Sequence, residues 1–126
     1  MQGAWTLTEW RAVGIADTSQ TLDLLAELSV VATLDVFPDD SATLTASLYG
    51  QSPSVEHAFL SLRGDTLSYD AINNHGRFLL RGSGDDMIWQ GIVPQLQDVT
   101  GDGVPDQTLT RMAFRRIHAA VAQMMH

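Results

Sequence analysis

The stretch Leu60-Ser61-Leu62-Arg63-Gly64-Asp65-Thr66-Leu67-Ser68-Tyr69-Asp70-Ala71 decides how this chain folds. Two alternating runs meet at Gly64-Asp65, a two-residue connection of the kind that closes a tight hairpin. Gly64 supplies a positive φ at no steric cost. The pattern predicts a strand over 55–62, a turn, and a returning strand over 66–71. Arg63-Gly64-Asp65 also spells a cell-adhesion tripeptide, but the hairpin needs Gly-Asp there for backbone reasons, and the structural reading wins.

The same period of two runs outward in both directions. Upstream, Ala42, Leu44, Ala46 and Leu48 alternate with Thr43, Thr45, Ser47 and Tyr49 in the cleanest strand pattern of the chain. Before the Pro38-Asp39-Asp40 turn, Val30, Ala32, Leu34 and Val36 alternate in the same way. Trp5 and Leu7 open a first strand reaching about Val13. Residues 14–27 break the pattern: Asp17-Thr18-Ser19 can cap a helix, and Leu22, Leu25 and Ala26 fall at helical spacing, so a short helix or lid-like loop is expected. Downstream, Asn73-Asn74-His75-Gly76 reads as a turn, Arg77 to Arg81 as a returning strand, and Met87 to Leu96 as one long strand. A last strand runs from Gln107 to about Arg116. Ile117, Val121 and Met124 share one helical face, which predicts a short C-terminal helix.

About eight short antiparallel strands, each joined to the next by a turn, define an all-β chain. Consecutive hairpins without long crossovers favour an up-and-down meander barrel, because closure removes exposed strand edges. The 126 residues form one domain, 1–126, with no repeat or linker. An eight-stranded barrel is just wide enough to be filled or to hold one small ligand. The phase of alternation puts Trp5, Leu7, Tyr69 and Trp89 inside, as the candidate ligand-binding residues. Small residues such as Ala32, Ala42, Ala46, Ala71 and Gly91 either leave a cavity there or let the backbones pack closely.

A second stretch specifies chemistry. Asp98-Val99-Thr100-Gly101-Asp102-Gly103-Val104-Pro105-Asp106 puts side-chain oxygens at loop positions 1, 3, 5 and 9: Asp98, Thr100, Asp102 and Asp106. Gly103 stands at position 6, where a calcium loop turns sharply, and Val104 offers its carbonyl at position 7. The cation expected is Ca²⁺, in a structural role, since Mg²⁺ demands stricter geometry. Position 12 is Leu109, so the bidentate Glu of a complete EF-hand is missing. The expected affinity is weak, towards a Kd of ~10⁻⁴–10⁻³ M.

These residues carry two family resemblances. The 98–106 loop is similar to the calcium loops of dockerins and FG-GAP-type repeats, although Thr100 stands where those usually carry Asp or Asn. Gly3-Ala4-Trp5-Thr6-Leu7 resembles the Gly-x-Trp opening of lipocalins and other calycins, and the 60–67 hairpin resembles one found in small bacterial lipocalin-like proteins. Avidins share the same opening. The lipocalin resemblance implies an eight-stranded barrel with Trp5 near its closed end and a C-terminal helix against the wall. The cross-linking cysteines usual in lipocalins are absent.

Charge and composition narrow the partners. A net charge of −8, with seven basic residues that are all arginine, argues against nucleic acid and anionic membrane surfaces. The absence of cysteine excludes disulfides, thiol catalysis and zinc–thiolate sites. No apolar run reaches the ~18 residues of a membrane span. A weak calcium loop suits millimolar extracellular calcium, so the expected setting is extracytoplasmic (periplasmic, secreted or lipid-anchored), with Met1 standing in for a removed targeting segment.

Nothing in the sequence assembles a catalytic site. There is no Gly-x-Ser-x-Gly elbow, and His57, His75, His118 and His126 are scattered without metal spacing. Asp39-Asp40 and Asp85-Asp86 are neighbours, and neighbours on a strand point to opposite faces. The leading expectation is therefore binding without catalysis: a small apolar ligand in the barrel and structural calcium in the 98–106 loop. The alternative is a structural or interaction module with a filled barrel, docking a partner through loops or an apolar tail at Ile117, Val121, Met124 and Met125. A third reading is an isomerase or lyase, which a buried His or Glu facing a cavity would revive.

Overall fold

The computed structural model describes residues 2–72 and 74–117. Ten strands and one helical turn follow in chain order: β1 (Gly3–Gly14), β2 (Thr21–Asp23), α1 (Leu24–Glu27), β3 (Val31–Val36), β4 (Ser41–Ser47), β5 (Ser54–Arg63), β6 (Thr66–Ala71), β7 (His75–Ser83), β8 (Asp86–Gly91), β9 (Gln95–Gln97) and β10 (Asp106–Arg116). Every pairing is antiparallel, and β1 pairs with β10, so the sheet closes on itself. Eight strands form the staves of an up-and-down barrel: β1, β3, β4, β5, β6, β7, β8 and β10.

The 60–71 hairpin forms as its pattern dictates. Arg63 faces Thr66 across the turn, and Gly64 takes a φ of 60°. Inward residues of the two strands, Leu60, Leu67, Tyr69 and Ala71, are all buried. The core gathers at one end of the barrel, where Trp5, Val36, Ala42, Leu60, Leu67, Met87 and Phe114 pack. Trp5 is 2% exposed, and the Arg116 guanidinium lies 4.3 Å from its ring centroid, a cation–π contact across the β1–β10 seam.

β2 and β9 lie outside the staves. The half of β1 near Gly14 leaves β3 and pairs with β2 (Arg11 opposite Asp23), while the half of β10 near Asp106 leaves β8 and pairs with β9 (Asp106 opposite Gln97). A small four-stranded flap, β2-β1-β10-β9, therefore rises at the end opposite the packed core. Its edges are only three residues long, which limits edge-to-edge association.

Three expectations are corrected in detail. The helical segment is a single turn, Leu24–Glu27, and its N-cap is Asp23, whose carboxylate accepts from Ala26 N at 3.1 Å. Asp17 instead closes an Asx turn, accepting from Ser19 N at 3.0 Å and Ser19 Oγ at 2.6 Å. The long strand expected from Met87 to Leu96 is two strands, β8 and β9, with Pro94 between them; proline has no N–H to give the ladder. The turn expected over 73–76 is shorter, because His75 already pairs with Asp70. The expected C-terminal helix lies outside the described residues beyond Ile117, as do His118 and His126.

Candidate functional site

A cavity of about 710 Å³ occupies the barrel above the packed end and opens beneath the flap. Its apolar wall comes from inward positions of several staves, among them Leu34, Leu44, Ala46, Phe78, Trp89, Met112 and Phe114, with Leu24 of α1 at the mouth. Three of the four expected ligand-binding residues, Leu7, Tyr69 and Trp89, border this space. Trp5 does not: it lies in the packed core. Trp89 is the hub of an aromatic cluster, with ring centroids of Phe114, Phe78 and Tyr69 at 4.8, 5.4 and 6.3 Å.

Trp10 also lines the cavity, and alternation counted from Trp5 and Leu7 places it outside. The register of β1 on β10 slips between Leu7 and Glu9. A bulge inserts one residue and inverts the phase beyond it, so Trp10 and Ala12 turn inward. The signal was present in the sequence as apolar residues shifting from odd to even positions. On the outer side of the bulge, the Glu9 carboxylate is held between Arg11 Nε at 2.7 Å and Arg111 Nε at 3.3 Å.

Polar groups also line the cavity, with Gln95, Gln97 and Thr110 near the flap and Tyr69 on β6. Tyr69 is 5% exposed, and its hydroxyl donates a hydrogen bond to Glu56 Oε1. Asn74 Nδ2 approaches the same oxygen at 3.5 Å. Burial, and then the Glu56 carboxylate, push the Tyr69 phenol well above its ordinary pKa. Glu56 shares the inward phase of Ala58 and Leu60 on β5, and the sequence reading passed over it. At the mouth, His75 Nδ1 pairs with Asp70 Oδ1 at 3.1 Å, with both side chains exposed. His57 sits on the outer wall, 3.3 Å from Thr43 Oγ1.

The second site is the loop that closes the β9–β10 hairpin. Carboxylate oxygens of Asp98, Asp102 and Asp106 lie within 4.8 Å of one another. Ligands on opposite sides of a calcium ion are about 5 Å apart, twice the usual Ca–O distance, so one cation can span all three. Thr100 Oγ1 sits between two of them, 3.4 Å from Asp98 Oδ1 and 3.3 Å from Asp106 Oδ2. Four of the five expected metal ligands thus converge through their side chains. The fifth, Val104, donates its N–H to Asp102 Oδ1 at 2.9 Å.

The loop backbone is shaped around Asp98. Its two oxygens accept from Gly101 N at 2.8 Å and Gly103 N at 2.9 Å. Both glycines take left-handed conformations, φ 79° and 82°, which favour a residue without a Cβ. The hydrogen bond from Gly103 is the main reason the Asp98 carboxyl sits below its ordinary pKa. A smaller cavity of about 230 Å³ adjoins the loop, between Val99, Thr100, Asp106 and the β1–β2 connection at Ile15 and Asp17. Ile15 N donates to Gln107 O at 3.0 Å, tying that connection to the hairpin.

Compared with known proteins, the chain matches no protein family, no curated protein and no solved structure. No helix among the described residues is long and apolar enough to cross a membrane.

Proposed function

We propose that this protein is a non-enzymatic carrier of a small apolar ligand, held in the barrel, with calcium in the 98–106 loop as a structural ion. The observation that carries the reading is the cavity of about 710 Å³, open at one end and walled by aromatic and aliphatic side chains. A volume of several hundred Å³ is what ligand sites offer. It supports carriage over the alternative of a filled interaction module. The lipocalin-like resemblance belongs to the same proposal, with the barrel and Trp5 at its packed end as support.

Catalysis is less well supported. The Tyr69 phenol is pushed up, so at neutral pH it holds its proton and is a poor base. Glu56 stands behind that hydroxyl and does not border the cavity. Calcium would be held by Asp98, Thr100, Asp102 and Asp106, pinning the β9–β10 hairpin of the flap beside the mouth. Weak affinity fits an extracytoplasmic setting, where calcium is millimolar.

The test is a titration with pyrene, read by energy transfer from tryptophan, because Trp10 and Trp89 line the cavity. Saturable one-to-one binding is expected. Ala46→Phe, which fills part of the space while the fold is retained by circular dichroism, should weaken it. Non-saturating uptake, equal in both proteins, would overturn the carrier reading.

A further inference from the structure

We propose that the cavity selects amphiphiles whose polar end is a protonated amine, seated on the Tyr69 hydroxyl with the Glu56 carboxylate behind it. This rests on the carrier reading and names its ligand class. Tyr69 has one proton, and that proton is donated to Glu56. Towards the cavity its oxygen can therefore only accept. Asn74 turns its amide nitrogen to the same carboxylate. That acceptor, beside the apolar side chains of Leu44, Phe78 and Met112, calls for a donor on the ligand.

The charge behind that spot is negative and uncompensated. Among the described residues six ion pairs tie Arg11, Arg81, Arg111, Arg115, Arg116 and His75 to Glu9, Asp65, Asp70, Asp85 and Asp86, and none reaches Glu56. Glu56 is half-buried, so its field is screened less than that of a surface carboxylate. The Trp89 ring lies 6.3 Å from that of Tyr69, and ring faces attract ammonium groups. Asp70 at the mouth adds to the field, although His75 pairs with it. Arg77 also borders the mouth, but it alternates with inward-facing Gly76 and Phe78 and so leaves the wall on its outer side. A ligand carboxylate would meet Glu56 as a like charge, at a cost. An alkyl ammonium gains there while its chain lies against Leu44, Phe78 and Met112.

The experiment compares decylamine, decanol and decanoate at neutral pH by tryptophan fluorescence, in about 0.5 M salt to screen the surface charge. Decylamine should bind at least about tenfold more tightly than decanoate, with decanol between. Glu56→Gln should reduce that preference to about threefold or less. Decanoate binding as well as decylamine, with decanol bound, overturns the inference and leaves the carrier reading standing. An intact amine preference in folded E56Q also overturns it. Failure of all three probes, decanol included, removes the carrier reading and this inference together. The comparison in the unaltered protein decides the matter even where the variant does not fold.

Discussion

Replacing Trp89 by alanine tests the barrel at its centre. The residue is 2% exposed, and three aromatic rings pack on it at 4.8–6.3 Å. An aromatic side chain of this kind withdraws ~150–250 Å² from water. At ~25 cal/mol per Å² that is roughly 4–6 kcal/mol. The extended-chain reference overstates the area by ~10–40%, which brings the transfer part to about 2.5–5 kcal/mol. The tilted ring pairs add a fraction of a kcal/mol to about 1 kcal/mol each. Against this, one side of the ring borders the cavity, so part of the vacated space joins a void that already exists. The expected loss is ~3–5 kcal/mol. Urea unfolding followed by far-UV circular dichroism measures it, as a lower midpoint with an unchanged m-value. Val55→Ala, at a position 57% exposed on the outer wall, is the control and should cost less than about 0.5 kcal/mol. A loss below about 1.5 kcal/mol for Trp89→Ala would refute the inward phase of β8, and with it the wall of the cavity.

Other outcomes follow from the same geometry. With a Kd of ~10⁻⁴–10⁻³ M, 10 mM calcium should stabilise the protein by roughly 1.4–2.7 kcal/mol over chelator; Asp102→Ala should remove most of that gain and change little in chelator, and equal losses in both would sink the calcium reading. Gly91→Ala should cost ~1–3 kcal/mol by thermal melt, because its Cβ would stand 2.9 Å from Thr110 O and 3.1 Å from Thr110 N, backbone atoms of β10; a neutral result would mean that β8 and β10 do not approach so closely. At alkaline pH the raised Tyr69 pKa contributes stability that is whole below the phenol's ordinary value of 10.0 and is lost as pH rises through its native value; in a Tyr49→Phe background, where Tyr69 is the one tyrosine, difference absorbance should show phenolate only as the protein unfolds, and phenolate forming in the native state would refute its burial against Glu56. At acid pH the lowered pKa values of Asp17, Asp39 and Asp98 act in the opposite sense: their contribution is whole above 3.8 and is lost as pH falls through the native values. A melt series in chelator should therefore hold level down to that pH, and a decline beginning near neutrality would contradict it.

Period-two alternation with turn residues at fixed places was enough, in the sequence alone, to give the all-β class, the strand meander and the inward phase of β3, β4 and β6. Side chains on a pleated strand must alternate, and one buried face forces the apolar set to that period. The spacing of Asp98, Thr100, Asp102 and Asp106 was legible for a similar reason, since a nine-residue loop brings its own ligands together. What the sequence left open depended on partners distant along the chain. The pairing of β1 with β10 decides that the sheet closes. The bulge after Leu7 exists only against that partner strand, and it turns Trp10 into the cavity while Trp5 stays below it. Pro94 lets β9 leave the barrel and follow β10 into the flap. Glu56 and Tyr69, 13 residues apart, meet because the β5–β6 hairpin folds both inward, and nothing local to either one announces the contact. Local spacing fixes phase and turn, whereas closure, cavity and the acceptor pair inside it arise from long-range pairing that no window of the sequence contains.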